Sequence, residues 1–375
     1  MKAPQALKRR MNSRWIRKLL IFMIVFSVSG ASIAFWIVGK RVEVSLAEQM
    51  LHRQQIVARA GAMSIENFLE FVGSSLASYA GTQDIIEGGE VTQNRLNLFV
   101  EEWVGSPVFS IALTDENGVV VASANRQGAD QTGVTLADRG YFEWAKEDAR
   151  PGEVYVGEAV FGRFGPVEDE FLIPVASPSF SNGEFKGVLV ATVALSELTK
   201  TYLDPLKISE ETRLYLTDSR GTILHGPYEK FIGINYFDYL ASVEFKGKEY
   251  AVEHLWKAAI TPEEGKIDVF LPDEVTGKLE RFLISHSPIK YQEGRHWTLA
   301  VASPMNTALA FFPQFLSHQV GALVFIVFVV LGLSALGILA IRIAQREAFY
   351  EGFTRGREHA YRRKKGESKE TKKSK

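Results

Sequence analysis

The chain of 375 residues contains no cysteine and only seven histidines. Without cysteine no disulfide can form, so any folded domain must be held together by its own hydrophobic core. The histidines are scattered without the spacing of metal ligands, and the Gly-x-Ser-x-Gly signature of hydrolases does not occur. The sequence therefore offers no basis for an enzyme, a metal site or a cofactor.

Acidic residues are absent from the N-terminal end, although the whole chain has a formal net charge of only −1. Residues 1–39 carry seven Lys/Arg and no Asp or Glu, and residues 342–375 carry twelve Lys/Arg and five Glu. The middle of the chain keeps 24 basic and 39 acidic side chains. Basic ends around an acidic middle indicate that these parts of the chain lie in different surroundings.

Two long runs without a charged residue lie just inside the basic ends. Residues 19–39 and 319–341 form runs of 21 and 23 residues, and about 20 apolar residues suffice to cross a bilayer as a helix. Because Lys and Arg beside such spans stay in the cytoplasm, we expect both termini to be cytoplasmic and residues 40–317 to be extracytoplasmic. The first run has an alternative interpretation as a cleaved signal peptide, since small residues occur at 31–34. Its apolar character continues to Val38, which favours an uncleaved anchor in the cell membrane.

These features predict an order of segments along the chain. The expected segments are a basic cytoplasmic N-terminus (1–18), a transmembrane helix (19–39), a long stalk helix (40–80), a membrane-distal module (81–200, the first module), a membrane-proximal module (201–305, the second module), a second transmembrane helix (317–341) and a basic, disordered cytoplasmic tail (342–375). Lys and Arg beside the spans are expected to contact the lipid bilayer and not nucleic acid.

Residues 40–80 predict a single long helix. The stretch has no proline, and apolar or small residues recur at alternating steps of three and four. A helix of this length would extend about 60 Å. The seam on its surface either pairs two copies of the chain in a homodimer or packs only against its own domain.

Strand–turn–strand patterns predict two similar α+β modules in tandem. Leu-Thr-Asp-x-x-Gly occurs at 113–118 and again at 216–221, between apolar segments. A repeat about 100 residues apart indicates a duplicated unit. The predicted strands of the first module are 108–114, 119–124, 154–161, 171–177 and 187–195, with a helix at 139–149. In the second module, 213–224 is predicted as a strand, an Asp-x-x-Gly turn and a strand, followed by strands at 268–271, 281–289 and 297–303. Asn182-Gly183 predicts a tight hairpin between two of these strands.

Two local motifs stand within this plan. The first is Asp-Arg-Gly-Tyr-Phe at 138–142, before a predicted helix, and the second is Gly-Val-Leu at 187–189, in a strand that leads into Leu-Ser-Glu-Leu at 195–198. With the spans, the long helix and the tandem modules, they resemble the double Cache family of extracytoplasmic sensor domains over about residues 40–305. The resemblance implies an α+β fold in which the long N-terminal helix backs two PAS-like antiparallel sheets. It also implies a small-molecule pocket in the first module, between the sheet and the helix that carries Arg139.

The side chains near that helix suit a small ligand. Arg139 offers a bidentate fork to a carboxylate, and neighbouring aromatic rings can wall an apolar pocket or hold an ammonium group. Aromatic residues at this spacing also pack commonly into a domain core, so the alternative is a purely structural role. The candidate ligand-binding residues are Arg139, Tyr141, Phe142, Trp144, Tyr155 and Thr192.

The chain departs from the family pattern at two of its positions. The resemblance implies, for members that bind amino acids, a tyrosine shortly before the arginine and an aspartate on the last strand of the module. Val134 and Thr192 stand at the matching positions here. Because Thr192 carries no charge, a simple carboxylate or another small polar metabolite is expected more than an amino acid, and the alternative is an empty pocket.

The resemblance leads to two hypotheses about function. Receptors of the family usually continue past the second span into a HAMP linker and an output domain, whereas 34 residues follow position 341 here. The first hypothesis is a membrane-anchored sensor of small molecules that signals through a separate protein. The alternative is a scaffold or protein-interaction module of the cell envelope that uses the same fold without sensing.

Overall fold

The computed structural model describes residues 13–162, 170–207, 209–274, 276–308 and 312–370. The chain divides into two compact units, one formed by residues 1–44 and 310–375 and the other by residues 45–309. The described helices are α1 (Ser13–Ala80), α2 (Gln83–Ile86), α3 (Gly89–Glu102), α4 (Gly140–Glu147), α5 (Leu195–Tyr202), α6 (Tyr236–Ser242), α7 (Lys248–Ile260), α8 (Met305–Ala308) and α9 (Phe312–Glu370). The described strands are β1 (Val108–Thr114), β2 (Val120–Asn125), β3 (Tyr155–Val156), β4 (Val160–Phe161), β5 (Phe171–Ser181), β6 (Glu184–Ala194), β7 (Arg213–Asp218), β8 (Ile223–His225), β9 (Gly265–Pro272), β10 (Leu279–Gln292) and β11 (Arg295–Pro304).

In the unit formed by the chain ends, the described residues are helical. Within the described residues, α1 from Ile21 and the stretch Val324–Ala344 of α9 are long and apolar enough to cross a membrane. Residues 342–370, predicted to be disordered, continue α9 as helix to Glu370. Glu, Lys, Arg, Ala and Gln dominate this tail, and all five favour helix. The first twelve and last five residues lie outside the described part of the chain.

In the other unit, α1 packs against both modules and ends at Ala80, as predicted. Ala58, Ile65 and Val72 of its seam are fully buried in the main hydrophobic core. At Gly61 a Cβ atom would come within 2.7 Å of the side chain of Leu299, so glycine allows the closest approach of helix and sheet. Packing within its own domain therefore accounts for the seam, and a homodimer through this helix stays a prediction.

The strands described form two antiparallel sheets with the same order. The first module has β2-β1-β6-β5-β3, with β4 also paired to β5, and the second has β8-β7-β11-β10-β9. Strands β1, β2, β6 and β5 thus correspond to β7, β8, β11 and β10. The tandem modules inferred from the sequence repeat are confirmed.

The repeated Asp-x-x-Gly turns are alike in their hydrogen bonds. The Oδ1 atom of Asp115 accepts from the backbone N–H groups of Asn117 and Val119. The Oδ1 atom of Asp218 accepts in the same way from residues two and four positions later in the chain. An aspartate that satisfies its own turn explains why the pattern could be found twice in the sequence.

Both central strands are buried on two faces, because α1 covers one face of each sheet. Leu189, Ala191 and Val193 of β6 pack in the core that contains α1, whereas Val188 and Val190 face the cluster around α4. Strand β11 alternates in the same way, with Leu299 and Val301 toward α1. Each sheet therefore has a second face that is free to form a cavity with the helices of its own module.

The strand predicted over 154–161 is split into β3 and β4. Both pair with β5, but between them the N–H group of Gly157 donates to the carbonyl of Pro174. Proline has no N–H group to continue the ladder, which explains the interruption.

Helices α6 and α7 were not predicted, although Asn235 caps α6 by accepting from the N–H groups of Phe237 and Asp238, a recognisable start signal.

Candidate functional site

The first module contains a cavity of about 90 Å³. Its floor is the free face of the sheet, where side chains two residues apart point the same way: Ser110 and Ala112 from β1, Val190 and Thr192 from β6. Its cover is the segment from Gln131 to Tyr141, which leads into α4. The cavity therefore lies between the sheet and the helix that follows Arg139, as the resemblance implied.

Arg139 is the residue that precedes α4, and its backbone begins that helix. Its φ and ψ angles of −93° and 132° are extended, and its carbonyl accepts from the N–H groups of Phe142 and Glu143. The side chain is half-buried and lines the cavity. It forms no hydrogen bond or ion pair with a described residue, and it is the one charged side chain among the described residues of the lining.

The polar part of the floor is a pair of hydroxyl groups. Ser110 and Thr192 lie opposite each other in the β1–β6 register, and their hydroxyl oxygens are 2.6 Å apart. Either hydroxyl can donate to the other, which leaves acceptor capacity for a group in the cavity. Tyr141 is buried, with 7% of its surface exposed, and also lines the space.

The structure brings three of the six candidate residues together and places the others beside them. Arg139, Tyr141 and Thr192 line the cavity. The ring of Phe142 packs edge-on against Phe185 at 5.9 Å. These contacts place Phe142 in the core around α4.

Trp144 and Tyr155 form a link to the second module and are not among the described residues of the lining. Their rings are 5.2 Å apart. The hydroxyl of Tyr155 accepts from the Nη1 atom of Arg295 at 2.6 Å, and the same guanidinium lies 5.3 Å from the Tyr155 ring. Strand β3 is thereby tied to the hairpin of β10 and β11.

Several residues of the cavity were not singled out from the sequence. They include Ser110, Gln131, Leu172 and Pro174. Ser110 could have been found from Thr192 only if the register of β1 against β6 had been known. Val134, which stands where the family pattern has a tyrosine, also lines the cavity.

In the described ranges, no three His, Asp or Glu side chains are grouped to hold a metal ion.

Comparison with known proteins agrees with this architecture. Among solved structures, the ligand-binding domain of the Pseudomonas aeruginosa PAO1 amino acid chemoreceptor PctB, in complex with L-Arg, is 18% identical over 70% of this chain and 98% of that one, with a TM-score of 0.52. The ligand-binding domain of the Pseudomonas fluorescens chemoreceptor CtaA, in complex with L-serine, is 14% identical over 69% of this chain and 99% of that one, with a TM-score of 0.50. At such identities the likeness shows the fold.

The family is established by the sequence itself. No curated protein matches the chain significantly. The profile of the family described as "Cache domain" matches residues 42–310, which is more than half of the chain and includes α1 from Val42 onward, both sheets and the cavity. The chain belongs to the Cache domain family.

Proposed function

We propose that this chain is a membrane-anchored extracytoplasmic sensor whose first module binds a small carboxylate. The observation that carries the proposal is the position of Arg139, a half-buried guanidinium without a described partner on the wall of a cavity. A charged group removed from water without a partner is unfavourable, and a bidentate carboxylate supplies the lost hydrogen bonds. The relatives of known structure, which are ligand-binding domains of chemoreceptors, support a sensing role.

The polarity of the lining favours a monocarboxylate over an amino acid. The complexes of PctB and CtaA contain amino acids, and a zwitterion requires an anion or several acceptors for its ammonium group. No Asp or Glu occurs among the described residues that line this cavity. The hydroxyl pair of Ser110 and Thr192 can instead bind a hydroxyl or a second carboxylate oxygen of the ligand.

The volume sets the size of the ligand. A cavity of about 90 Å³ is smaller than the roughly 150 Å³ that accommodates benzene in an engineered core. Ligands of about four or five non-hydrogen atoms, fewer than the six of benzene, therefore fit without a change in the sheet. Acetate, glycolate and propionate are suitable probes of this size.

The test is ligand-induced stabilisation of the full chain in lipid nanodiscs, followed by intrinsic fluorescence on heating. A ligand at one hundred times its Kd stabilises by about 2.7 kcal/mol, which raises the Tm of a domain of this size by roughly 5–10 °C. Arg139→Gln should abolish the shift. Arg150→Gln removes an exposed arginine just beyond α4 and should leave the shift unchanged.

A gain-of-function variant adds a second arm. Thr192→Asp supplies the carboxylate that the cavity lacks, so small amino acids should stabilise this variant more than they stabilise the wild type. If no carboxylate shifts the Tm of the wild type, or if Arg139→Gln responds as the wild type does, the sensor proposal is refuted. The scaffold hypothesis then becomes the better account. The separate signalling protein expected from the sequence stays a prediction.

A further inference from the structure

The second module also contains a cavity, of about 80 Å³, on the corresponding face of its own sheet. Strands β7, β11 and β10 form its floor, as the corresponding strands β1, β6 and β5 do in the first module. Helices α6 and α7 lie over it. The duplicated architecture therefore provides a second cavity, and its chemistry can be compared position by position with the first.

The polar groups of this cavity differ from those of the first. The pair Ser110 and Thr192 of the first sheet corresponds to Arg213 and Ala302 in the second, which are also opposite each other in register. Arg213 does not offer a free cation, because its Nη2 atom is 2.5 Å from the Oδ2 atom of Asp273 and its Nη1 atom is 3.7 Å from the Oε2 atom of Glu274. One guanidinium thus faces two carboxylates.

Of the two carboxylates, Glu274 is the one with an oxygen atom that can still accept a hydrogen bond. Its residue is 8% exposed, and its Oε2 atom accepts from the hydroxyl of Tyr215 at 2.6 Å. Its Oε1 atom is buried and has no hydrogen-bond partner in the described part of the chain. The exposed Lys230 donates only to the main-chain carbonyl of Glu274, at 3.1 Å. A buried carboxylate oxygen without a donor costs stability unless something supplies one.

The rest of the lining is largely aromatic and aliphatic. Tyr215, Tyr236, Phe237 and Phe282 contribute rings to the wall, and such rings attract cations through their faces. On the same wall, the Nδ1 atom of the buried His286 has no hydrogen-bond partner among the described residues. The ionised Glu274 can only accept a hydrogen bond at Oε1, and His286 accepts one at Nδ1 in the tautomer that carries its proton on Nε2, so one donor group would suit both atoms.

We propose that the cavity of the second module binds a small protonated amine with a short apolar body, whose ammonium group donates to Glu274. Tyr215 and Arg213 hold the other side of that carboxylate, at Oε2, and so leave Oε1 for the ligand. An ammonium group has three donors and no acceptor, which matches the unpartnered Oε1 atom of Glu274. The two modules would then select ligands of opposite charge.

The volume again limits the candidates. At about 80 Å³ the space suits amines of roughly four or five non-hydrogen atoms, by comparison with the cavity that holds benzene. n-Propylamine and isobutylamine are the probes of choice. Their matched controls are n-propanol, isobutanol, propionate and isobutyrate, which keep the size and shape but change the charge.

The experiment uses the full chain in lipid nanodiscs, with binding measured by calorimetry and by thermal shift at pH 7. An amine should bind at least tenfold more tightly than the alcohol and the carboxylate of the same skeleton. Glu274→Gln, which keeps the volume and an acceptor for Tyr215, should weaken amine binding at least tenfold. Glu253→Gln, which removes an exposed glutamate from α7, should not alter it.

Two further variants serve as controls. One tests the cavity even if Glu274→Gln does not fold, and the other shows that the first module does not bind the amine. Ala300→Leu fills the cavity from its floor but keeps Glu274, so it should abolish amine binding. Arg139→Gln should leave amine binding intact, because that arginine belongs to the other cavity. Each of three results overturns the proposal: equal binding of amine and alcohol, tighter binding of the carboxylate, or amine binding that survives both Ala300→Leu and Glu274→Gln.

Discussion

Gly187 is the position where one methyl group should be most damaging to the sheet of the first module. Its φ angle is +145°, a region that residues with a side chain rarely adopt. A Cβ atom built there would overlap the carbonyl oxygen of Thr114 and lie 2.8 Å from its carbonyl carbon. Because both atoms belong to the backbone of β1, no side chain can move aside to make room.

The cost of Gly187→Ala can be worked out from these two effects. An unfavourable backbone conformation costs about 1–3 kcal/mol, and insertion of a group into a packed interior costs about as much again. The total of about 4 kcal/mol is a large share of the 5–15 kcal/mol by which domains are stable. We therefore expect the Tm to fall by roughly 10 °C.

The assay is thermal unfolding of the full chain, followed by fluorescence and circular dichroism, with Gly105→Ala as the matched control. Gly105 also has a positive φ angle, +85°, but no atom lies within 4 Å of its Cβ position. The control isolates the backbone term, so it should lose only about 1 kcal/mol. Equal losses for the two variants would refute the reasoning, because the approach of β1 to Gly187 would then contribute nothing.

Two more predictions concern buried polar groups. Gln54 is fully buried and neither atom of its amide group has a hydrogen-bond partner among the described residues, so Gln54→Leu should raise the free energy of unfolding by about 1–2 kcal/mol. Burial raises the pKa of Glu274, although the hydroxyl of Tyr215 and the Arg213 guanidinium oppose the effect. A carboxyl group whose pKa is higher in the folded chain than in the unfolded chain stabilises the fold below the unfolded pKa of about 4.3. This stabilisation is lost as the pH rises through the folded pKa. Glu274→Gln should therefore gain stability relative to wild type as the pH rises from about 4.3 through the folded pKa of Glu274.

The controls for these predictions lie close to the sites. Gln55, next to Gln54, donates from Nε2 to the carbonyl of His286 at 3.0 Å. Gln55→Leu should therefore lower the free energy of unfolding, whereas Gln54→Leu should raise it. A loss of stability in Gln54→Leu would mean that its amide has a partner after all. For Glu274, urea unfolding of both proteins across the pH range is the measurement. Parallel stability curves would show that the carboxyl group titrates alike in the folded and unfolded chain.

Much of the candidate site could be located from the sequence, but not its composition. Arg139 and Tyr141 were identified because they stand in a local motif before a helix. Phe142 and Trp144 stand in the same motif, yet they pack against Phe185 and Tyr155. Neighbouring side chains of a helix point in different directions. The packing of α4 on its sheet therefore decides which of these side chains lines the cavity.

The sequence by itself determined the features that depend on neighbouring residues. The apolar runs, the long helix, the Asn182-Gly183 hairpin and the repeated Asp-x-x-Gly turns each follow from a few consecutive side chains, so their signals survive without any knowledge of the fold. The repeat of these turns likewise indicated two similar modules, whereas their shared strand order came from the structure.

Tertiary structure alone decided the features that join distant parts of the chain. The hydroxyl pair of Ser110 and Thr192 depends on strand register, the gap between β3 and β4 depends on which residue of β5 lies opposite, and the unsatisfied oxygen of Glu274 depends on what Arg213 and Tyr215 leave free. In each case the partners are 17 to 82 residues apart. Their distances are set by the packing of whole elements, which no local pattern encodes.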